Sequence, residues 1–143
     1  MTETDAKRKD DKMERTSLKT FSVTEIKVVN KKRPGEKIEL ENQYKYNVHG
    51  INETICSGEF QVNVCDKNDR DNFSVYVNTN AIFEHAKEKT KTELHIESMA
   101  EMFPYVRSLI ITITASMGIN PLTIPPIDYG NISIINVQFP PKQ

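Results

Sequence analysis

Alternating hydrophobic and polar residues dominate the first half of the chain. This period-two pattern places one set of side chains on a single face of a β-strand. It recurs in four blocks separated by turn-forming residues, at about residues 18–29, 38–48, 60–64 and 73–77. In the first block the parity shifts near Thr24, which predicts a β-bulge. The four blocks predict an antiparallel meander with one face toward water.

Helical spacing replaces this alternation in the second half of the chain. Ser98 and Glu101 have the spacing of a capping box, and Gly118 stands where a glycine commonly ends a helix. The pattern predicts a helix over residues 98–117. Pro104 argues against a continuous helix, because a proline beyond the first turn costs a backbone hydrogen bond, but the spacing and the two end signals outweigh it. Hydrophobic residues three or four positions apart form one stripe along this helix: Phe103, Val106, Ile110, Ile113 and Met117.

Four further segments follow neither pattern. Residues 1–16 are charged and almost free of hydrophobic side chains, which predicts a disordered tail before a single domain over residues 17–143. Residues 84–97 are polar and predict a crossover with room for a short helix. Residues 119–129 are hydrophobic and rich in proline, so they predict an extended loop that lies against another surface. Residues 131–139 are rich in β-branched side chains and predict a short C-terminal strand.

Charge and cysteine content narrow the class of protein. The net charge of −1 argues against a nucleic-acid binder, which needs a basic surface. No stretch reaches the roughly 20 hydrophobic residues of a membrane span, and no signal-peptide pattern begins the sequence. We therefore expect a cytoplasmic protein without membrane association. Cys56 and Cys65 lie an odd number of positions apart, so on one strand they point to opposite faces and stay reduced.

No arrangement of residues points to catalysis. His49, His85 and His95 are scattered and share no motif with a cysteine or serine nucleophile. The sequence contains no metal-ligand spacing and no glycine-rich phosphate loop. We expect neither an enzymatic activity nor a cofactor.

Three motifs resemble the SecB family of protein-export chaperones. Residues 102–107, Met-Phe-Pro-Tyr-Val-Arg, are similar to the Phe-Pro-Tyr-Ala-Arg type element early in the family's long helix. Residues 118–129 are similar to the glycine, apolar turn and Leu-x-x-Pro-Pro/Val-Asn-Phe type element that follow it. Residues 80–84, Asn-Ala-Ile-Phe-Glu, are similar to the family's Gly-Gly-Ile-Phe element at the end of the fourth strand. The resemblance extends over about residues 20–129.

This resemblance implies an α+β fold, in which one long helix packs on a four-stranded antiparallel sheet. It implies a homotetramer built as a dimer of dimers. It also implies an ATP-independent holdase that binds unfolded or partly folded polypeptides in apolar grooves and serves protein export. Export members contact the ATPase of the export motor through a second helix and tail. Here a predicted strand over residues 131–139 replaces that helix, and the charge is near neutral, which favours a divergent member.

Two other functions fit the same residues. The protein could be a dedicated interaction protein for one fixed partner, for example a SecB-like chaperone that guards an antitoxin. It could also be a purely structural oligomer. Buried and client-binding apolar residues look alike in a sequence, so the pattern does not separate these alternatives.

The candidate client-binding groove combines sheet and loop residues. Its members share large apolar or aromatic side chains, which suit polypeptides of varied sequence: Tyr44, Tyr46, Phe73, Tyr76, Ile119, Leu122, Ile124, Ile127 and Tyr129. The two strand tyrosines 44 and 46 also fit ordinary sheet packing, and the loop residues also fit packing between subunits. The helical stripe is expected in the core or in an oligomer interface.

Overall fold

The computed structural model describes residues 16–125, which form four strands and one helix. The strands are β1 (Ser17–Asn30), β2 (Leu40–Gly50), β3 (Ile55–Asp66) and β4 (Phe73–Glu84), and the helix is α1 (Lys91–Ser116). The predicted α+β architecture is confirmed. The predicted tail, up to residue 15, and the predicted C-terminal strand lie outside the described residues.

The order of the strands differs from a simple meander. The sheet is antiparallel with the order β1-β4-β3-β2, so β1 pairs with β4 and not with β2. The predicted bulge in β1 is confirmed, because the register of β1 on β4 shifts between Val23 and Glu25. At this shift the hydroxyl of Thr24 donates a hydrogen bond to the carbonyl oxygen of Asn78 at 2.9 Å.

The helix begins seven residues earlier than predicted, at Lys91 instead of Ser98. Thr90 is the N-cap: its hydroxyl accepts from the Glu93 amide at 3.1 Å, and the Glu93 carboxylate accepts from the Thr90 amide at 3.3 Å. Both residues fall in the segment predicted as a polar crossover, so that prediction was wrong for residues 91–97. The helical end was predicted correctly, since α1 stops at Ser116 and Gly118 has a φ of 79°.

Ser98, predicted as a cap, has an interior position instead. Its hydroxyl oxygen lies 2.6 Å from that of Tyr46 on β2, and this hydrogen bond is buried. The close approach of Tyr46 depends on Gly58 of β3, where an added Cβ would collide with the phenol oxygen. The start of α1 is therefore held on the sheet by a polar contact that needs a glycine beneath it.

The core lies between α1 and one face of the sheet. Alternate residues of β3 and β4 supply the sheet side, including Phe60, Val62, Val75 and Val77. The opposite face is polar and carries side-chain hydrogen bonds such as that from Gln61 to Tyr76 at 3.1 Å. Cys56 and Cys65 are both free and buried, and they alternate along β3 onto opposite faces, as predicted.

Candidate functional site

The loop after α1, residues 117–125, folds back onto the end of the sheet. Gly118 adopts a left-handed conformation that ends the helix and reverses the chain. The Leu122 amide then donates a hydrogen bond to the Thr114 hydroxyl at 2.8 Å. Thr114 is fully buried, and its own hydroxyl lies 2.8 Å from the Ile110 carbonyl oxygen. Sequence reasoning missed Thr114, which a hydroxyl on the buried side of an apolar helix could have indicated.

A small apolar pocket of about 90 Å³ lies where this loop crosses the sheet. Among its lining residues, Ile124 is only 2% exposed, whereas Leu40 is 39% exposed. The pocket therefore joins the core to an open apolar surface. Its walls come from β2, β3, α1 and the loop: Leu40, Asn42, Val64, Ile110, Leu122, Thr123 and Ile124.

Tyr44 continues this surface along β2. It lies on the same side of the strand as Leu40 and Asn42, because residues of even number on β2 face the helix. Its ring meets that of Phe60 edge to face, with centroids 6.4 Å apart. Burial raises the pKa of Tyr44 to about 12, so the phenol stays neutral near the pocket at physiological pH.

The other predicted floor residues occupy different places. Tyr46 and Phe73 are 6% and 2% exposed and belong to the core, so neither offers surface to a client within this chain. Tyr76 is on the polar face of the sheet, because it alternates with Phe73, Val75 and Val77 on β4. The period-two pattern alone could have separated Tyr76 from Phe73.

The loop residues of the predicted groove come together in part. Ile119 and Leu122 are half-buried against the core, and Ile124 is buried within it. Ile127 and Tyr129 lie outside the described residues. Of the predicted groove, Leu122 and Ile124 line the pocket, and Tyr44 and Ile119 are partly buried against the same core.

The helical stripe faces the sheet of the same chain. Phe103, Val106 and Ile110 are buried in the core, and Ile113 and Met117 are partly buried against it. The rings of Phe103 and Phe60 lie 6.4 Å apart, which ties the stripe to β3.

A second apolar surface flanks the helix on the side of β1. Val23, Ile26 and Val28 point to the helix side of the sheet, yet they are 40%, 47% and 42% exposed. Tyr105 of α1 is 51% exposed and stacks on Phe21 of β1 at 5.4 Å. We call Val23, Ile26, Val28 and Tyr105 the β1 strip. Four large apolar side chains in one strip indicate an interaction surface.

The described residues, 16–125, show neither a metal-binding cluster nor a membrane-spanning helix. No group of three or more histidine, cysteine, aspartate or glutamate side chains in this range could hold a metal ion. In the same range, no helix combines the length and the apolar character that crossing a membrane requires. His95, in the first turns of α1, packs against Tyr46 of β2 with ring centroids 5.2 Å apart. Burial lowers the pKa of His95.

A family model described as SecB, preprotein translocase subunit SecB, matches residues 5–138. The chain belongs to the SecB family. A protein-export protein SecB of Erythrobacter litoralis is 23% identical over 128 residues, covering 83% of this chain and 72% of that protein. This membership supports a chaperone role.

An archaeal relative and a solved structure are also similar. An uncharacterized protein of Methanocaldococcus jannaschii is 31% identical over 100 residues, covering 66% of this chain and 63% of that protein's length. The fold is similar to that of a SecB-like chaperone of Mycobacterium tuberculosis, solved in complex with a ChAD peptide from the HigA1 antitoxin. That similarity has a TM-score of 0.62 at 14% identity and covers 79% of this chain and 91% of the other.

Proposed function

We propose that this SecB-family protein is an ATP-independent holdase that binds unfolded polypeptides at the apolar pocket and the surface around it. The observation that carries the proposal is the loop of residues 117–125, which Thr114 holds beside Leu40 so that an apolar pocket stays open. A partly open apolar site is what a holdase needs, because it binds without closing onto one sequence.

The size of the site suits single side chains of a client. A pocket of about 90 Å³ has room for one aliphatic side chain or part of an aromatic ring. Apolar burial contributes roughly 25 cal/mol per Å², before the cost of ordering the client is subtracted. One such pocket binds weakly, so tight binding of a long client requires several copies of the site.

Assembly into a homo-oligomer would supply those copies. We propose that the β1 strip is covered by another copy of the chain, in keeping with the dimer of dimers that the family resemblance implies. The exposure of Val23, Ile26 and Val28 supports this assembly. We further propose that the oligomer acts in the cytoplasm. Contact with the export ATPase would be a function separate from client binding.

A second candidate is a dedicated chaperone for one fixed partner. It is favoured by the similarity of the fold to a SecB-like chaperone solved with an antitoxin peptide. The two candidates differ in selectivity: a general holdase binds unrelated clients, whereas a dedicated one binds a single peptide sequence.

Suppression of aggregation tests the proposal. The wild-type protein is added to two unrelated unfolding polypeptides, and light scattering reports both aggregation and the mass of the oligomer. Leu122→Ser removes an apolar wall of the pocket, so we expect it to suppress aggregation several-fold less well than the wild type. Ile51→Ser is the matched control, because Ile51 is 57% exposed and directly follows the end of β2 that is far from the pocket.

Each outcome has a distinct meaning. Suppression of both polypeptides by the wild type and the control, with loss in Leu122→Ser, supports the general holdase. Suppression of neither by a folded oligomer contradicts it and favours the dedicated partner. Equal suppression by all three proteins would place client binding away from the pocket.

A further inference from the structure

The strand β2 forms a long, regular edge of the sheet. It pairs with β3 along eleven consecutive residues without a register shift, and its other side has no strand within residues 16–125. Natural edges are usually short, bulged or blocked by proline or lysine, because open backbone groups invite pairing with another strand. β2 contains no proline, no bulge and one lysine, Lys45. Leu40 at its start is also exposed.

The chain leaves the described fold beside this edge. Ser98, near the start of α1, contacts Tyr46 of β2, and Ile110, further along α1, lines the pocket with Leu40. The helix thus runs back toward the first residues of β2. Ile124 lies buried beside Leu40 and Asn42, so the chain continues from the end of the sheet at which β2 begins.

The sequence that follows has the pattern of a strand. Residues 131–139 read Asn-Ile-Ser-Ile-Ile-Asn-Val-Gln-Phe, in which Ile135, Val137 and Phe139 alternate with Asn136 and Gln138. Such β-branched and aromatic alternation favours a half-buried strand. The nine residues of this segment are close in length to the eleven of β2.

The connecting length decides the direction of pairing. Residues 126–130 can span at most about 17 Å, whereas a neighbouring strand lies only about 4.8 Å away. The far end of β2 is about 34 Å from its start, at about 3.4 Å per residue, and is out of reach. Pairing along the length of β2 must therefore begin at its start and run parallel to it. Since β2 and β4 both pair antiparallel with β3, the connection from β4 through α1 is then a parallel crossover.

We propose that residues 131–139 pair in parallel with β2 as a fifth strand of the sheet. The backbone groups of β2 that point away from β3 bind the segment, and its apolar side chains cover Leu40 and the neighbouring apolar surface. A client added as a strand would have to displace this segment first. The pairing itself requires no client, so it stands apart from the holdase function.

Hydrogen exchange of the full chain tests this pairing without any client. Every second amide of β2 points away from β3 and is protected only if another strand pairs there. We expect these amides to exchange at least tenfold more slowly in the wild type than in the variant Ile134→Pro/Ile135→Pro. Adjacent residues of a strand point their amides to opposite sides, so one of the two prolines removes a donor that faces β2. The matched variant Ile134→Val/Ile135→Val keeps the β-branched pattern and should exchange like the wild type. The amides shared by β3 and β4 report whether each variant is folded.

Equal exchange of the outward β2 amides in the wild type and a folded proline variant would overturn the proposal. Protection of these amides that increases with protein concentration would also overturn the proposal. It would mean that the strand pairing with β2 comes from a second copy of the chain. If the proline variant unfolds, nuclear Overhauser contacts in the isotope-labelled wild type decide instead. Contacts between β2 amides and residues 131–139 within one labelled chain support the pairing, and their absence contradicts it.

Discussion

The hydroxyl of Thr114 accepts a hydrogen bond from the Leu122 amide at 2.8 Å across the turn that ends α1. Thr114 is fully buried, and the same hydroxyl also lies within hydrogen-bond distance of the Ile110 carbonyl oxygen. One side chain therefore connects the last turns of the helix to the loop that forms the pocket. Its removal should disturb the site and the stability together.

Thr114→Val keeps the shape of the side chain but removes the acceptor for the Leu122 amide. A fully buried amide left unpaired costs about 1–3 kcal/mol. The hydrogen bond of the Leu122 amide is partly buried, so we expect the free energy of unfolding to fall by up to that amount. Urea denaturation measures it. Thr112→Val is the matched control, since the Thr112 hydroxyl bonds the Ser108 carbonyl oxygen on the exposed side of α1. Equal losses in the two variants would mean that the bond to the loop contributes nothing.

Gly58→Ala should be strongly destabilising, because the added Cβ meets the phenol oxygen of Tyr46 and lies 3.0 Å from the Phe83 ring. Overpacking of this kind costs about 1–3 kcal/mol. Tyr46→Phe removes the oxygen, so the cost of Gly58→Ala should be smaller in that background. Gly50→Ala is the control, since no atom lies within 4 Å of its added Cβ. A double-mutant cycle with no coupling energy would contradict the proposed clash.

The burial of His95 predicts that the free energy of unfolding decreases as the pH decreases. Burial lowers its pKa in the folded state below the ordinary value of 6.5, so the unfolded chain binds a proton more readily. The contribution of His95 is fully present above about pH 6.5 and is lost as the pH falls toward the folded pKa.

His95→Phe keeps a ring against Tyr46 but does not titrate. Urea denaturation at pH 7.5 and 5.5 should show a smaller loss of stability for His95→Phe than for the wild type. His49→Phe, at an exposed position of β2, should behave like the wild type. An unchanged pH dependence in His95→Phe would rule out this source of the effect.

The β1 strip predicts that assembly depends on apolar side chains. Ile26 is 47% exposed, so Ile26→Ser removes apolar surface that an oligomer would bury and leaves the core of the chain in place. We expect the mass from light scattering to fall toward that of a smaller assembly. Ile51→Ser serves again as the control and should keep the wild-type mass. An oligomer of unchanged mass and concentration dependence in Ile26→Ser would exclude the β1 strip as an interface.

The spacing of hydrophobic residues along the sequence determined much of the fold. Alternation located four strands and the bulge at Thr24, because the side of a strand on which a residue lies depends only on its parity. The helical stripe likewise identified Phe103, Val106 and Ile110 as residues that pack together. The apolar, proline-rich composition of the loop after α1 was enough to predict that the loop lies against another surface. These properties are encoded over short distances along the chain.

Tertiary structure decided what local pattern leaves open. Thr90 with Glu93 and Ser98 with Glu101 have the same spacing, but in the folded chain Thr90 is the cap and Ser98 is an interior residue in contact with Tyr46. Other features also depend on residues that are far apart in sequence or lie across a turn. They are the pairing of β1 with β4, the burial of Tyr46 and the hydrogen bond from Leu122 to Thr114. Such contacts depend on how whole elements pack, because the free energy of a buried polar group is set by the partner that packing brings to it.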